Sequence, residues 1–159
     1  MQLSSKGARG MGRIAVCLAF ASSAVVLAGP APALAQQGGQ FTVALSGQGS
    51  VNGGDRDGQG SARLDLDPQR GTACYEITWN KLDGAVTAFH LHAGRRGSEG
   101  PHWIDFFNGQ SLNGDQGKTS NCVRSTRENI EAVINDPSAY YLQLHSTAFP
   151  DGAVRGQVG

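Results

Sequence analysis

The stretch Ala85-Val86-Thr87-Ala88-Phe89-His90-Leu91-His92-Ala93-Gly94 decides the fold. Its side chains alternate, with Val86, Ala88, His90 and His92 on one side and Thr87, Phe89 and Leu91 on the other, and a glycine ends the run. A period of two is that of a half-buried strand and does not fit a helix. His90 and His92 therefore project the same way, roughly 6–7 Å apart along one face, with Leu91 pointing back. Two imidazoles so placed could grip one metal ion, or could each make an ordinary hydrogen bond.

The same alternation recurs on both sides of this stretch. Upstream, strands are predicted over 41–46 (Phe41, Val43 and Leu45 inward), 62–66 (Ala62, Leu64, Leu66) and 72–79 (Ala73, Tyr75, Ile77, Trp79). Downstream they are predicted over 102–107, around 119–123, over 140–145 and over 153–158. Glycine, proline, asparagine and aspartate punctuate the gaps, as turn chemistry requires. One helix interrupts the pattern. Ser125-Thr126-Arg127-Glu128 fits a capping box, Ile130, Val133 and Ile134 share a face, and Pro137 marks the exit. The expectation is an all-β, Greek-key sandwich of about eight strands with one short helix.

The chain has 159 residues, and its start reads as an export signal. Lys6, Arg9 and Arg13 precede an apolar run, and Ala33-Leu34-Ala35 offers small residues for cleavage, so the cut is expected after Ala35. Ser22, Ser23, Gly29 and Pro30 interrupt that run before about 20 apolar residues accumulate, so a membrane span is not expected. Residues 36–40 are expected as a flexible mature start, followed by one domain over 41–159. Subtracting Lys6, Arg9 and Arg13 from the 13 basic residues leaves 10 against 13 acidic ones, a net charge of about −3. That balance does not suit nucleic acid. Cys17 departs with the leader, and the remaining pair, Cys74 and Cys122, is expected to form a disulfide in an oxidising, secreted or periplasmic setting.

Several other motifs carry little chemistry. Asp55-Arg56-Asp57-Gly58 lacks the further ligands of a calcium loop and reads as a solvated turn. Arg95 and Arg96 sit in a glycine-rich loop that matches neither phosphate-cradling pattern. No G-x-S-x-G elbow supports a hydrolase.

Taken in order, F-T-V-A-L-S-G, L-D-L-D-P-Q-R-G-T-A-C-Y-E-I-T-W, F-H-L-H-A-G-R-R-G-S-E-G-P, N-D-P-S-A-Y-Y-L-Q-L-H-S-T-A-F-P-D-G and A-V-R-G-Q-V resemble the CHRD, or chordin-type, domain. The resemblance spans nearly the whole mature chain. It implies an immunoglobulin-like Greek-key sandwich similar in topology to Cu/Zn superoxide dismutase, in an exported bacterial protein. It also implies pairing of Cys74-Tyr75 with Cys122-Val123 through the disulfide. In chordin the associated biology is extracellular binding of growth factors, and no partner follows from it for a single domain. The chain departs from the family where His102 and Trp103 follow Gly100-Pro101 in place of an apolar run.

Two readings of the histidines stay open. With Leu142 and Leu144 inward, His145 falls on the outer face together with His90 and His92. These three could hold copper or zinc in a mononuclear site, with His102 as a fourth ligand or as a surface histidine at a strand head. Alternatively they form a hydrogen-bonded polar cluster, with Asp105, Glu99 and Asp151 as neighbours. Four histidines in all cannot furnish both metal sites of a dinuclear dismutase. The expected function is a non-catalytic extracytoplasmic binding or structural domain for an unidentified protein or surface ligand. The alternative is a copper- or zinc-binding protein, with superoxide scavenging as its redox form.

Overall fold

The computed structural model describes residues 38–159. The expected leader, its cleavage site and Cys17 lie outside the described residues. The described residues form eight strands, most of them marked by alternating apolar residues: β1 Gly39–Ser46, β2 Gln59–Asp67, β3 Thr72–Asn80, β4 Val86–Ala93, β5 His102–Phe107, β6 Gln116–Arg124, β7 Tyr140–Ser146 and β8 Val154–Gln157. Among the described residues a single α-helix, α1, spans Arg127–Asn135. All pairings are antiparallel, in the order β5-β4-β7-β8-β1-β2-β3-β6. The order places β4 beside β7, and β3 beside β6, so the chain crosses between non-consecutive strands as a Greek key does.

The sheet divides naturally into two leaves of four strands. At the seam, β1 and β8 meet at one residue pair, Ser46 and Arg155. Inward-facing residues of both leaves form a single core: Val43, Leu64, Ile77 and Trp79 from one, Phe89, Leu91, Phe106, Leu142 and Val154 from the other. Tyr75 packs its ring 5.5 Å from Phe89 and 4.9 Å from Phe106, joining the leaves across the interior. Ile130 and Val133 of α1 are fully buried in the same core. Thr126 caps the helix by accepting from the Asn129 N–H at 3.2 Å, and the Trp103 indole on β5 donates to the Asn129 carbonyl.

Cys74 and Cys122 face each other in the β3–β6 register and are disulfide-bonded. The expected pairing is present.

Three local expectations need correction. β1 starts at Gly39, which is buried opposite Leu66, so Gly39 and Gln40 belong to the sheet and not to a loose end. β6 runs nine residues, well beyond 119–123, because an edge strand paired on one side carries no apolar alternation to betray its length. Asp55 is buried, its carboxylate accepting from the Asp83 N–H at 2.7 Å, so this residue anchors the loop to the β3–β4 turn and is not solvated.

β4 also departs from the simple alternation. A register shift between Val86 and Ala88 turns Val86 into the core with Phe89 and Leu91, leaving Ala88 outside it. From Ala88 onward the faces fall as the sequence implies. His90 and His92 point away from the core.

Candidate metal centre

Three adjacent strands deliver four imidazoles to one face. β4 lies between β5 and β7, with His92 opposite His102 on one side and opposite Tyr141 on the other. His90 is paired with Asp105 on β5 and with Gln143 on β7, and His145 is paired with Ala88. Side chains opposite one another across a sheet stand close enough to touch. Ring centroids of His90 and His102 are 4.0 Å apart, of His92 and His102 4.7 Å, and of His90 and His92 5.7 Å. His145 lies 5.0 Å from His90 and 6.0 Å from His92.

His90, His92 and His102 form the tightest group, each offering a ligand atom within 4.8 Å of the others. The sequence reading ranked His145 above His102. In the fold His102 enters the tight group and His145 stands beside it. No local motif marks His102, because its place comes from the β4–β5 register alone.

The outer face is not open to solvent. His90, His92 and His145 are only 3%, 5% and 9% exposed, whereas the side chain of His102 is half exposed. Two loops fold over the sheet and bury them. The loop before β5 brings the Gly100 carbonyl within 3.0 Å of His92 Nδ1, and the loop before β8 brings the Pro150 carbonyl within 2.9 Å of His145 Nδ1. Gly100 must be glycine here, because a Cβ would run into the Ala93 carbonyl.

A carbonyl oxygen can only accept, so Nδ1 carries the proton in His92 and His145. The lone pair is then on Nε2. His102 Nδ1 likewise donates to the Asp105 carboxylate at 2.8 Å. Of the buried side-chain nitrogen and oxygen atoms left without a hydrogen-bond partner among the described residues, four of five are imidazole nitrogens of this cluster. They are Nε2 of His92, Nε2 of His145 and both ring nitrogens of His90, and the fifth is Ser50 Oγ. Leaving one such atom unpaired costs about 1–3 kcal/mol, so several gathered in one place form a polar deficit that a ligand can fill.

Electrostatics keep these rings ready to coordinate. Burial, followed by the nearby His102 and His145, lowers the His90 pKa to about 4, against the opposing pull of Asp105. Burial likewise lowers His92 and His145, opposed by the Gly100 and Pro150 carbonyls respectively. Near neutral pH the rings are therefore uncharged, the form that binds metals.

Around the cluster sit Glu99, expected as a neighbour, and two residues to which sequence reasoning gave no role at the site, Tyr141 and Arg155. The Tyr141 ring is stacked on His92, 4.8 Å away and 9° from parallel. Its hydroxyl donates to Glu99 at 3.1 Å and accepts from the Gly100 N–H at 3.2 Å. Arg155, 3% exposed, lays its guanidinium 3.5 Å from the Tyr141 centroid, on a carboxylate contact to Glu99 at 3.5 Å and the Arg95 carbonyl at 3.0 Å. These residues come from three separated segments, and nothing in their local sequence announces the assembly.

The family profile of the CHRD domain matches residues 41–158. The chain belongs to the CHRD domain family. No curated protein and no solved structure matches it. CHRD domains are not a known enzyme family, and membership fits a non-catalytic domain of the extracellular type. The disulfide is compatible with that setting. Among the described residues of this CHRD domain, no helix is long and apolar enough to cross a membrane.

Proposed function

We propose that this CHRD domain is an exported, non-catalytic binding domain whose ligand is a single late first-row transition-metal ion, copper(II) ahead of zinc(II). His90, His92 and His102 supply the first three nitrogens and His145 completes the set. The observation that carries the reading is the cluster of buried imidazole nitrogens without hydrogen-bond partners, three of them on rings held in one place. A hydrogen-bonded polar cluster would instead spend those nitrogens on protein partners.

The donor chemistry favours copper. Neutral imidazole is a borderline ligand that suits copper and zinc, and copper(II) binds nitrogen sites more tightly along the divalent series. Magnesium and calcium prefer oxygen ligands, and the carboxylate in direct contact with the rings, Asp105, is engaged by His102. The arrangement Asp105–His102 is the outer support that holds a ligating imidazole in one tautomer.

The experiment is metal loading followed by dialysis and elemental analysis. The expected result is close to one copper per chain, lost in His90→Ala and in His92→Ala. Retention of only trace metal by the folded wild-type protein would overturn the reading and leave the polar-cluster account. Turnover of superoxide by the loaded protein would move it from a binding domain to a redox enzyme.

A further inference from the structure

Resting on the metal reading above, we propose that Tyr141 is a redox-active side chain that delivers one electron to the histidine site through His92 and its proton to Glu99. The geometry supplies each part of such a step. The phenol and the His92 imidazole are nearly parallel rings at 4.8 Å, so two π systems join the tyrosine to a metal ligand with no intervening group. The hydroxyl already donates to Glu99 Oε2 at 3.1 Å, within reach for direct proton transfer. Glu99 is partly exposed, its side chain at 38%, and can pass that proton to water.

Arg155 decides how the electron leaves. Its cation lies 3.5 Å from the centre of the Tyr141 ring, where it disfavours any positive charge on that ring. Loss of the electron alone would create such a charge. Loss of electron and proton together leaves a neutral phenoxyl radical, and Glu99 is placed to accept the proton. Burial of Tyr141 at 0% exposure shields the radical from solvent and from other chains.

The oxidant we assign is hydrogen peroxide acting on the reduced, copper(I) form. The O–O bond breaks and peroxide is reduced by two electrons to two waters. One electron comes from copper(I), which becomes copper(II). The other comes from Tyr141, whose O–H bond breaks to give the phenoxyl radical. Two protons from solvent complete the two waters, and the phenolic proton taken by Glu99 returns to solvent, so one proton is consumed overall. Tyr141 thus takes an oxidising equivalent that would otherwise attack the imidazoles.

The other described tyrosines provide an internal control. Tyr75 packs against Phe89 and Phe106, and Tyr140 packs against Trp103. Freeze-quench electron paramagnetic resonance of the copper-loaded, reduced protein after peroxide addition tests the assignment. A tyrosyl signal is expected in the wild type and in Tyr140→Phe, and its loss is expected in Tyr141→Phe, with copper content and the copper(II) spectrum unchanged. Glu99→Gln should slow formation of the radical while leaving copper binding intact. The absence of a tyrosyl signal in copper-loaded wild type, or its persistence in Tyr141→Phe, overturns the proposal while the metal site stands. Failure of copper to bind overturns both. Should Tyr141→Phe fail to fold, the wild-type measurement with ring-deuterated tyrosine still decides whether a tyrosine is oxidised.

Discussion

Asp105 touches two of the four imidazoles, with Oδ1 at 2.8 Å from His102 Nδ1 and 3.7 Å from His90 Nε2. As the outer support of a ligand, its replacement in Asp105→Asn should weaken metal affinity by about 10–100-fold, read by competition with a chelator of known strength. A second consequence belongs to His90. Its pKa in the fold is about 4 against an ordinary 6.5, so between those values the unfolded chain binds more protons. Stability of the metal-free protein is therefore full above about pH 6.5 and is lost as pH falls toward 4. For His90 the loss is on the order of 3 kcal/mol, with His92 and His145 shifted in the same direction. Urea unfolding at a series of pH values should show a midpoint that declines over that window, and a flat midpoint would contradict it. At this scale the H-x-H pair was legible, because strand alternation puts both rings on one face. Arg155 and Tyr141 were not, since a buried guanidinium over a phenol is set by contacts between residues far apart in the chain.

Elements differ in how openly they declare themselves. β1, β3 and β7 alternate because one face enters the core, and their places could be read directly. β6 was read only in part, around 119–123, because Val123 alone of its residues is an aliphatic packed against the core and sets up no alternation. The slip between Val86 and Ala88 was equally hidden, as every residue involved is small or β-branched and fits either face. The histidine strand itself is held by its inward side chains, Phe89 and Leu91, both fully buried. Leu91→Ala should cost roughly 2–5 kcal/mol by opening a cavity directly behind the two imidazoles. Denaturant titration measures that loss. Metal affinity of the folded fraction should fall less than in His92→Ala, which removes a donor and leaves the core alone. The loops over the outer face were unreadable for a physical reason. Their closure depends on the backbone carbonyls of Gly100 and Pro150, groups that carry no side-chain signature, and on the room that Gly152 leaves for the Gln143 side chain.

At the scale of the whole molecule, a disulfide staples the β3–β6 edge of the sheet. The Cys74–Cys122 bond closes 48 residues of chain and fixes edge strand β6 to its leaf. In the chain-entropy account it contributes about 4 kcal/mol, so Cys74→Ser with Cys122→Ser should lower the urea midpoint correspondingly while leaving the β spectrum intact. The overall class was legible because repeated alternating segments and one amphipathic helix admit few other architectures. The crossing of β6 back to β3 has a temporal meaning. Neither leaf is a continuous piece of chain, since β6 is made between β5 and β7, and the seam pair Ser46–Arg155 waits for β8. His145 arrives on β7, so the four-imidazole cluster cannot exist until β7 has followed β4 and β5. A polypeptide that travels across a membrane unfolded would make the journey empty-handed, and its cargo would be chosen from the ions at its destination.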